Sequence, residues 1–222
     1  MNKFKEFVEE LAAMEVTPNV CNQYSYDHDE NAARRENLAL YLERIYKLQP
    51  KIMLIGEAPG YRGCRLTGVP FTSEHILMNN IRGLDLFGKN NGFRLAAEKE
   101  KLIKETTATI VWETLVKYDL LVVSWNAFPF HPHKKDNELS NRTPLKKELL
   151  LGEKPLLKLL DIFSVKMVVA MGNKAAESLS RLGIKHEKVR HPAQGGKNDF
   201  IQGMIHIKNK IETEGCHGVQ HM

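Results

Sequence analysis

Apolar residues recur at helical spacing in two N-terminal stretches. Over residues 2–15, Phe4, Phe7, Val8, Leu11 and Ala12 fall on one helical face, and Pro18 ends the pattern. Over 31–48, Leu38, Leu42, Ile45 and Leu48 repeat it before Pro50. The intervening NVCNQYSYDHDE (19–30) is polar and reads as a loop. Three later runs are nearly continuous in apolar residues: KIMLI (51–55), LLVVSW (120–125) and KMVVAM (166–171). Such runs predict strands buried on both faces. A fourth strand, 187–190, is weaker and rests on its place before His191. Helical stretches over 74–84, 106–117, 144–163 and 173–182 lie between them, and a last helix spans 198–212. Asn173 is placed to cap the helix 174–182, and Gly183 to end it.

Strands alternating with helices predict a parallel sheet covered on both sides. The fold class is therefore α/β: three-layer αβα with a central, mostly parallel four-stranded sheet. No linker rich in Pro, Gly or Ser and no repeat interrupts the chain. Residues 1–222 read as a single domain, with 1–48 as a helical segment packed on it and 213–222 as a flexible tail.

A chain of 222 residues can bury a core without a disulfide or metal staple. Lys and Arg total 32 against 27 Asp and Glu, a net charge of +5 that suits a phosphate-bearing partner but does not identify one. The three cysteines, Cys21, Cys64 and Cys216, form no CxxC pair. This argues against a disulfide framework and against a cysteine-built zinc or iron–sulfur site. No metal and no cofactor are expected. No apolar run reaches the length of a membrane span, and the first residues lack a signal-peptide core. The expectation is a monomer that meets no membrane, in the cytoplasm or in the nucleus of a eukaryote.

Three strands run into unusual loops: GEAPGYRGCRLTGVPFTSE (56–74), NAFPFHP (126–132) and HPAQGGKND (191–199). Open parallel sheets bind ligands beyond the carboxyl ends of their strands, where such loops converge. Gly56 and Gly60 bracket a tight turn around Pro59. Glycines there allow close approach of backbone to ligand, although a plain strand–helix turn has the same signature. No GK[ST] follows, so the turn is not a Walker A loop. Basic residues attend all three loops: Arg62 and Arg65, Lys134 and Lys135, and Lys197. They suit phosphate contact, or simply form a solvated face.

GEAPG followed eight residues later by GVPF resembles the first motif of the uracil-DNA glycosylase superfamily. Asn126 and the HPA of 191–193 match its other landmarks, in the same order and each after a strand. The resemblance implies a monofunctional DNA glycosylase of base excision repair. It would hydrolyse the N-glycosidic bond of uracil or a related deaminated base, flipped out of DNA into a pocket. Gly56, Ala58, Pro59 and Gly60 would line that pocket, and Phe71 would stack on the base. Asn126 would read its edge, accepting from N3–H and donating to O4. His191 would donate to O2 as negative charge builds there. Arg62, Arg65, Gln194, Gly195 and Lys197 would contact DNA. Taken singly, Phe71 also reads as a core residue, Asn126 as a cap or turn residue, and His191 more readily as a turn residue than as a catalyst.

The sequence departs from the pattern at three places. Ala58 stands where the most active members carry Asp, which positions the attacking water. Glu57 is the nearest substitute base, although neighbours on an extended chain point in opposite directions. His131 and His133 are close enough in sequence to Asn126 to be further candidates. Gly60 stands where the best-known members place Tyr, which predicts a looser pocket that admits 5-substituted uracils. The branch with GEAPG usually holds an iron–sulfur cluster through four cysteines, and three at the wrong spacing predict none. Two other readings stay open: a protein that binds DNA or uracil without turnover, and an enzyme acting on free nucleotides or nucleosides.

Overall fold

The computed structural model describes residues 2–216. Helix α1 (Lys3–Ala12) is capped by the Asn2 side chain, which accepts from the Phe4 N–H, and it buries Phe4, Phe7, Val8 and Leu11. Strand β1 (Val20–Cys21) follows, then α2 (Asn31–Lys47), which packs on α1. Next come β2 (Ile52–Gly56), α3 (Cys64–Thr67), α4 (Glu74–Asn79), a 3-10 turn at Lys89–Asn91 and α5 (Thr106–Lys117). Then follow β3 (Val122–Asn126), β4 (His131–Pro132), α6 (Lys146–Phe163), β5 (Met167–Met171), α7 (Asn173–Arg181), β6 (Glu187–Val189) and α8 (Lys197–Cys216).

The main sheet has the order β3-β2-β5-β6, and every pairing is parallel. Each residue of β2, β3 and β5 is buried. Helices explain this. α2 and α6 pack on β3, α7 packs on β2 and β5, and α8 packs on β6 and α5. The protein is an α/β fold whose parallel sheet is flanked by helices, as the alternation of elements predicts. Among the described residues, no helix is long and apolar enough to cross a membrane.

Several local expectations change. The helix expected over 74–84 stops at Asn79, because Asn80 turns to positive φ and its side chain accepts from the Phe87 N–H. A short polar side chain there offers the backbone a local partner in place of the helix. Asn173 does not cap α7; it is the first helical residue, and the N-cap is Gly172, with no side-chain bond. Gly183 does follow the helix at positive φ. The polar stretch 19–30 contains β1, which pairs antiparallel with β4. Residues 213–216 continue α8, contrary to the tail expected there, and 217–222 lie outside the described residues.

Candidate functional site

The carboxyl ends of β2, β3, β5 and β6 open into a cavity of about 1010 Å³. Phe71, Asn126 and His191 all line it, although Asn126 ends β3 and the other two come from separate loops. So do Glu57, Ala58, Pro59, Gly60, Arg62 and Gln194.

Strand register brings the first two together. Gly56 and Asn126 are partners across β2 and β3. A β-carbon on Gly56 would lie 2.5 Å from Phe71 Cζ and 2.8 Å from Asn126 Oδ1. Glycine is what lets the ring and the carboxamide converge over the end of β2. Phe71 holds positive φ (51°), which costs roughly 1 kcal/mol or more in a residue with a side chain. Its carbonyl accepts the Trp112 Nε1–H at 2.8 Å, a bond that anchors the turn. Beneath it, the Thr67 and Thr72 hydroxyls meet at 2.7 Å.

Asn126 is 3% exposed. Among the described residues, nothing hydrogen-bonds its carboxamide, while its neighbours Ala127 and Phe128 donate their N–H groups to the carbonyls of Gly56 and Glu57. Its backbone is therefore fixed and its polar edge is free to meet a ligand. His191 follows β6, and its Nδ1 accepts the Ala193 N–H at 3.1 Å. A neutral imidazole accepting at Nδ1 carries its proton on Nε2. Burial lowers the pKa of His191; the Glu105 carboxylate opposes this and Arg190 adds to it. The ring is thus neutral at neutral pH, with an N–H to give.

Burial raises the pKa of Glu57, against the Thr143 hydroxyl and Lys174, with Glu177 adding to the rise. Ala58 brings only a methyl group to the cavity wall. A β-carbon on Gly60 would meet nothing nearer than Asn141, at 3.8 Å, so the wall is open there.

Other expected residues fall elsewhere. Arg65, carried round by α3, pairs with Glu138 at 2.9 Å and lines a separate cavity with Cys21 and His133. Gly195 and Lys197 are exposed and stand outside the main cavity, as do Lys134 and Lys135. His131 and His133 do not reach the site. The turn at Pro129 and strand β4 lead them under the loop, where His131, fully buried, donates from Nδ1 to the Pro59 carbonyl at 2.8 Å. It supports the GEAPG turn from behind.

Several lining residues lie outside the three motifs. Lys188 and Arg190 flank inward-facing Val189 on β6 and reach the cavity, as do Lys174, Asn141 and Glu105. The Asn141–Thr143 wall is held by Arg142. Its guanidinium grips Glu148 with two bonds of 2.7 Å and also donates to the Asn19 carbonyl at 3.0 Å. Only a strand's alternation hinted at Lys188 and Arg190, and no local signal marked the others.

The cysteines do not fit a four-thiolate cluster. Cys64 is sealed against the Tyr24 hydroxyl, and burial pushes its thiol up to about 12. Among the described residues, no group of three His, Cys, Asp or Glu is arranged to hold a metal ion.

No curated protein matches the chain. A family model, that of the uracil DNA glycosylase superfamily, matches residues 43–211. That span begins within α2, ends within α8 and takes in every residue that lines the cavity, and on this match the chain belongs to the uracil DNA glycosylase superfamily.

Proposed function

We propose that the protein is a monofunctional DNA glycosylase that hydrolyses uracil, or a related deaminated base, from DNA. Superfamily membership supports a glycosylase-like function in general. The observation that carries the finer reading is the convergence of Phe71, Asn126 and His191 on one cavity.

Stacking on Phe71 would hold the flipped base. The free Asn126 carboxamide matches uracil: Oδ1 accepts from N3–H and Nδ2 donates to O4. Cytosine presents the reverse pattern and would leave buried groups unpaired, at about 1–3 kcal/mol each. As the bond from C1′ to N1 breaks, its electrons pass into the base and charge gathers on O2. The Nε2–H of neutral His191 would meet that oxygen, stabilising the transition state more than the ground state. Arg62, Lys188 and Arg190 at the rim suit the DNA backbone, which a free nucleoside lacks. The open wall at Gly60 supports acceptance of 5-substituted uracils.

The test is uracil release from single- and double-stranded oligonucleotides, scored as alkali-labile breaks. Breaks at uracil are expected. Intact uracil in every context, with a control enzyme active, would overturn the reading. Ala58 favours one alternative, a pocket that binds without turnover. Tight uracil-DNA binding with no release would establish it.

A further inference from the structure

Hydrolysis needs more than a good leaving group. The sugar becomes cationic as the base departs, and a water must lose a proton as it adds. Ala58 can serve neither need. Glu57 lines the cavity, but its burial disfavours the anion, and its polar neighbours are Thr143, Lys174 and Glu177.

A second carboxylate enters the same cavity from a different element. Glu105 is the N-cap of α5, in extended conformation. One of its oxygens accepts the Thr107 N–H at 2.9 Å and the other the Ala108 N–H at 2.5 Å. These bonds fix the carboxylate in place and leave lone pairs on both oxygens. Gly63 brings the first-motif loop down beside it. A β-carbon on Gly63 would lie 2.9 Å from the Thr72 carbonyl and 3.6 Å from Glu105 Cγ. The Glu105 charge is also felt by the His191 imidazole. The cavity therefore holds a fixed anion near the proposed O2 donor, supplied by a part of the chain outside the three motifs.

We propose that Glu105 is a catalytic residue: its carboxylate faces C1′ of the flipped nucleotide, stabilises the cationic sugar and takes a proton from the attacking water. The bond from C1′ to N1 breaks with both electrons leaving on the base. Water oxygen bonds to C1′, one water proton passes to Glu105 and on to solvent, and the released base anion is reprotonated from solvent. This assignment rests on the reading of the chain as a glycosylase.

The structural role of Glu105 as a helix cap can be separated from the chemical one. Serine is a good N-cap, so Glu105→Ser keeps the start of α5 and removes the charge. Single-turnover uracil release should fall about 100-fold or more in Glu105→Ser and Glu105→Gln, with the melting temperature of the serine variant near wild type. A second measurement needs no turnover: affinity for an oligonucleotide carrying a cationic pyrrolidine in place of the sugar, against the neutral tetrahydrofuran analogue. Wild type should prefer the cation by about tenfold or more, and both variants should bind the two within about threefold. Variants that release uracil at the wild-type rate, or a wild type that does not distinguish the analogues, would overturn the role of Glu105 and leave the glycosylase reading intact. If wild type releases no base yet prefers the cation through Glu105, the glycosylase reading fails while the anion facing the sugar stands.

Discussion

Gly56 and Asn126 face each other across the β2–β3 ladder, so closely that a β-carbon on Gly56 would sit 2.8 Å from the Asn126 carboxamide oxygen. The same carbon would be 2.5 Å from the Phe71 ring. Neither neighbour can yield without leaving the cavity. Gly56→Ala is therefore expected to reduce uracil release by about 100-fold or more, through misplacement of both groups. Single-turnover kinetics and a melting curve measure the two effects separately. An alanine variant with wild-type kinetics would show that the convergence is unimportant.

The placement of His191 is that of the neutral ring, since Nδ1 accepts the Ala193 N–H and protonation would turn that acceptor into a donor and break the bond. Burial holds its pKa below the ordinary 6.5 despite Glu105. The rate should stay level from neutral pH down to about 6.5 and decline only below that, as the pH passes through the folded pKa and Nδ1 gains a proton. In His191→Asn most of the rate should go. A wild-type acid limb centred above 6.5 would contradict the assignment.

Glu148 is fully buried and, through Arg142, carries the wall beside the first motif, where Asn141 Oδ1 accepts the Tyr61 N–H. Burial alone would raise its pKa, but the Arg142 guanidinium, the Leu145 N–H and the Thr17 hydroxyl outweigh this and hold it below the ordinary 4.5. Its contribution to stability is then complete above about pH 4.5 and is lost as pH falls through the lower, folded value. Glu148→Gln should destabilise the fold by about 3 kcal/mol, because it leaves the Arg142 charge without its partner. Urea unfolding at neutral pH measures this, and the difference from wild type should shrink in acid.

The open wall at Gly60 predicts tolerance. 5-Hydroxymethyluracil should be released within about a hundredfold of the uracil rate, since pockets that exclude only by size seldom do better than that. Gly60→Tyr should narrow the range in favour of plain uracil. Competition between the two bases in one oligonucleotide would decide it.

The sheet was legible because parallel strands covered on both faces leave unbroken apolar runs; 51–55 became β2 nearly residue for residue. Phe71, Asn126 and His191 were legible only through the order of their motifs, since each alone suits an ordinary structural role. Arg65 misled because four residues of helix, α3, turn it away from Arg62. His131 misled because closeness in sequence to Asn126 ignored the turn between them. Glu105 was invisible. It sits in a charged stretch where it reads as one more solvated acid, and only the tertiary approach of α5 to Gly63 reveals what it faces.

The superfamily match starts at residue 43, yet the cavity edge of the sheet leans on what comes earlier. Tyr41 lends its hydroxyl to the N–H of Ser124, two residues before Asn126, and Phe7 meets Trp125 edge-on at 5.4 Å. Trimming the protein to the matched span would strip Trp125 of a partner and orphan a core amide, a loss of about 1–3 kcal/mol for that amide alone. Anyone seeking a minimal fragment should keep residues 1–42, for they are the foundation on which Asn126 stands.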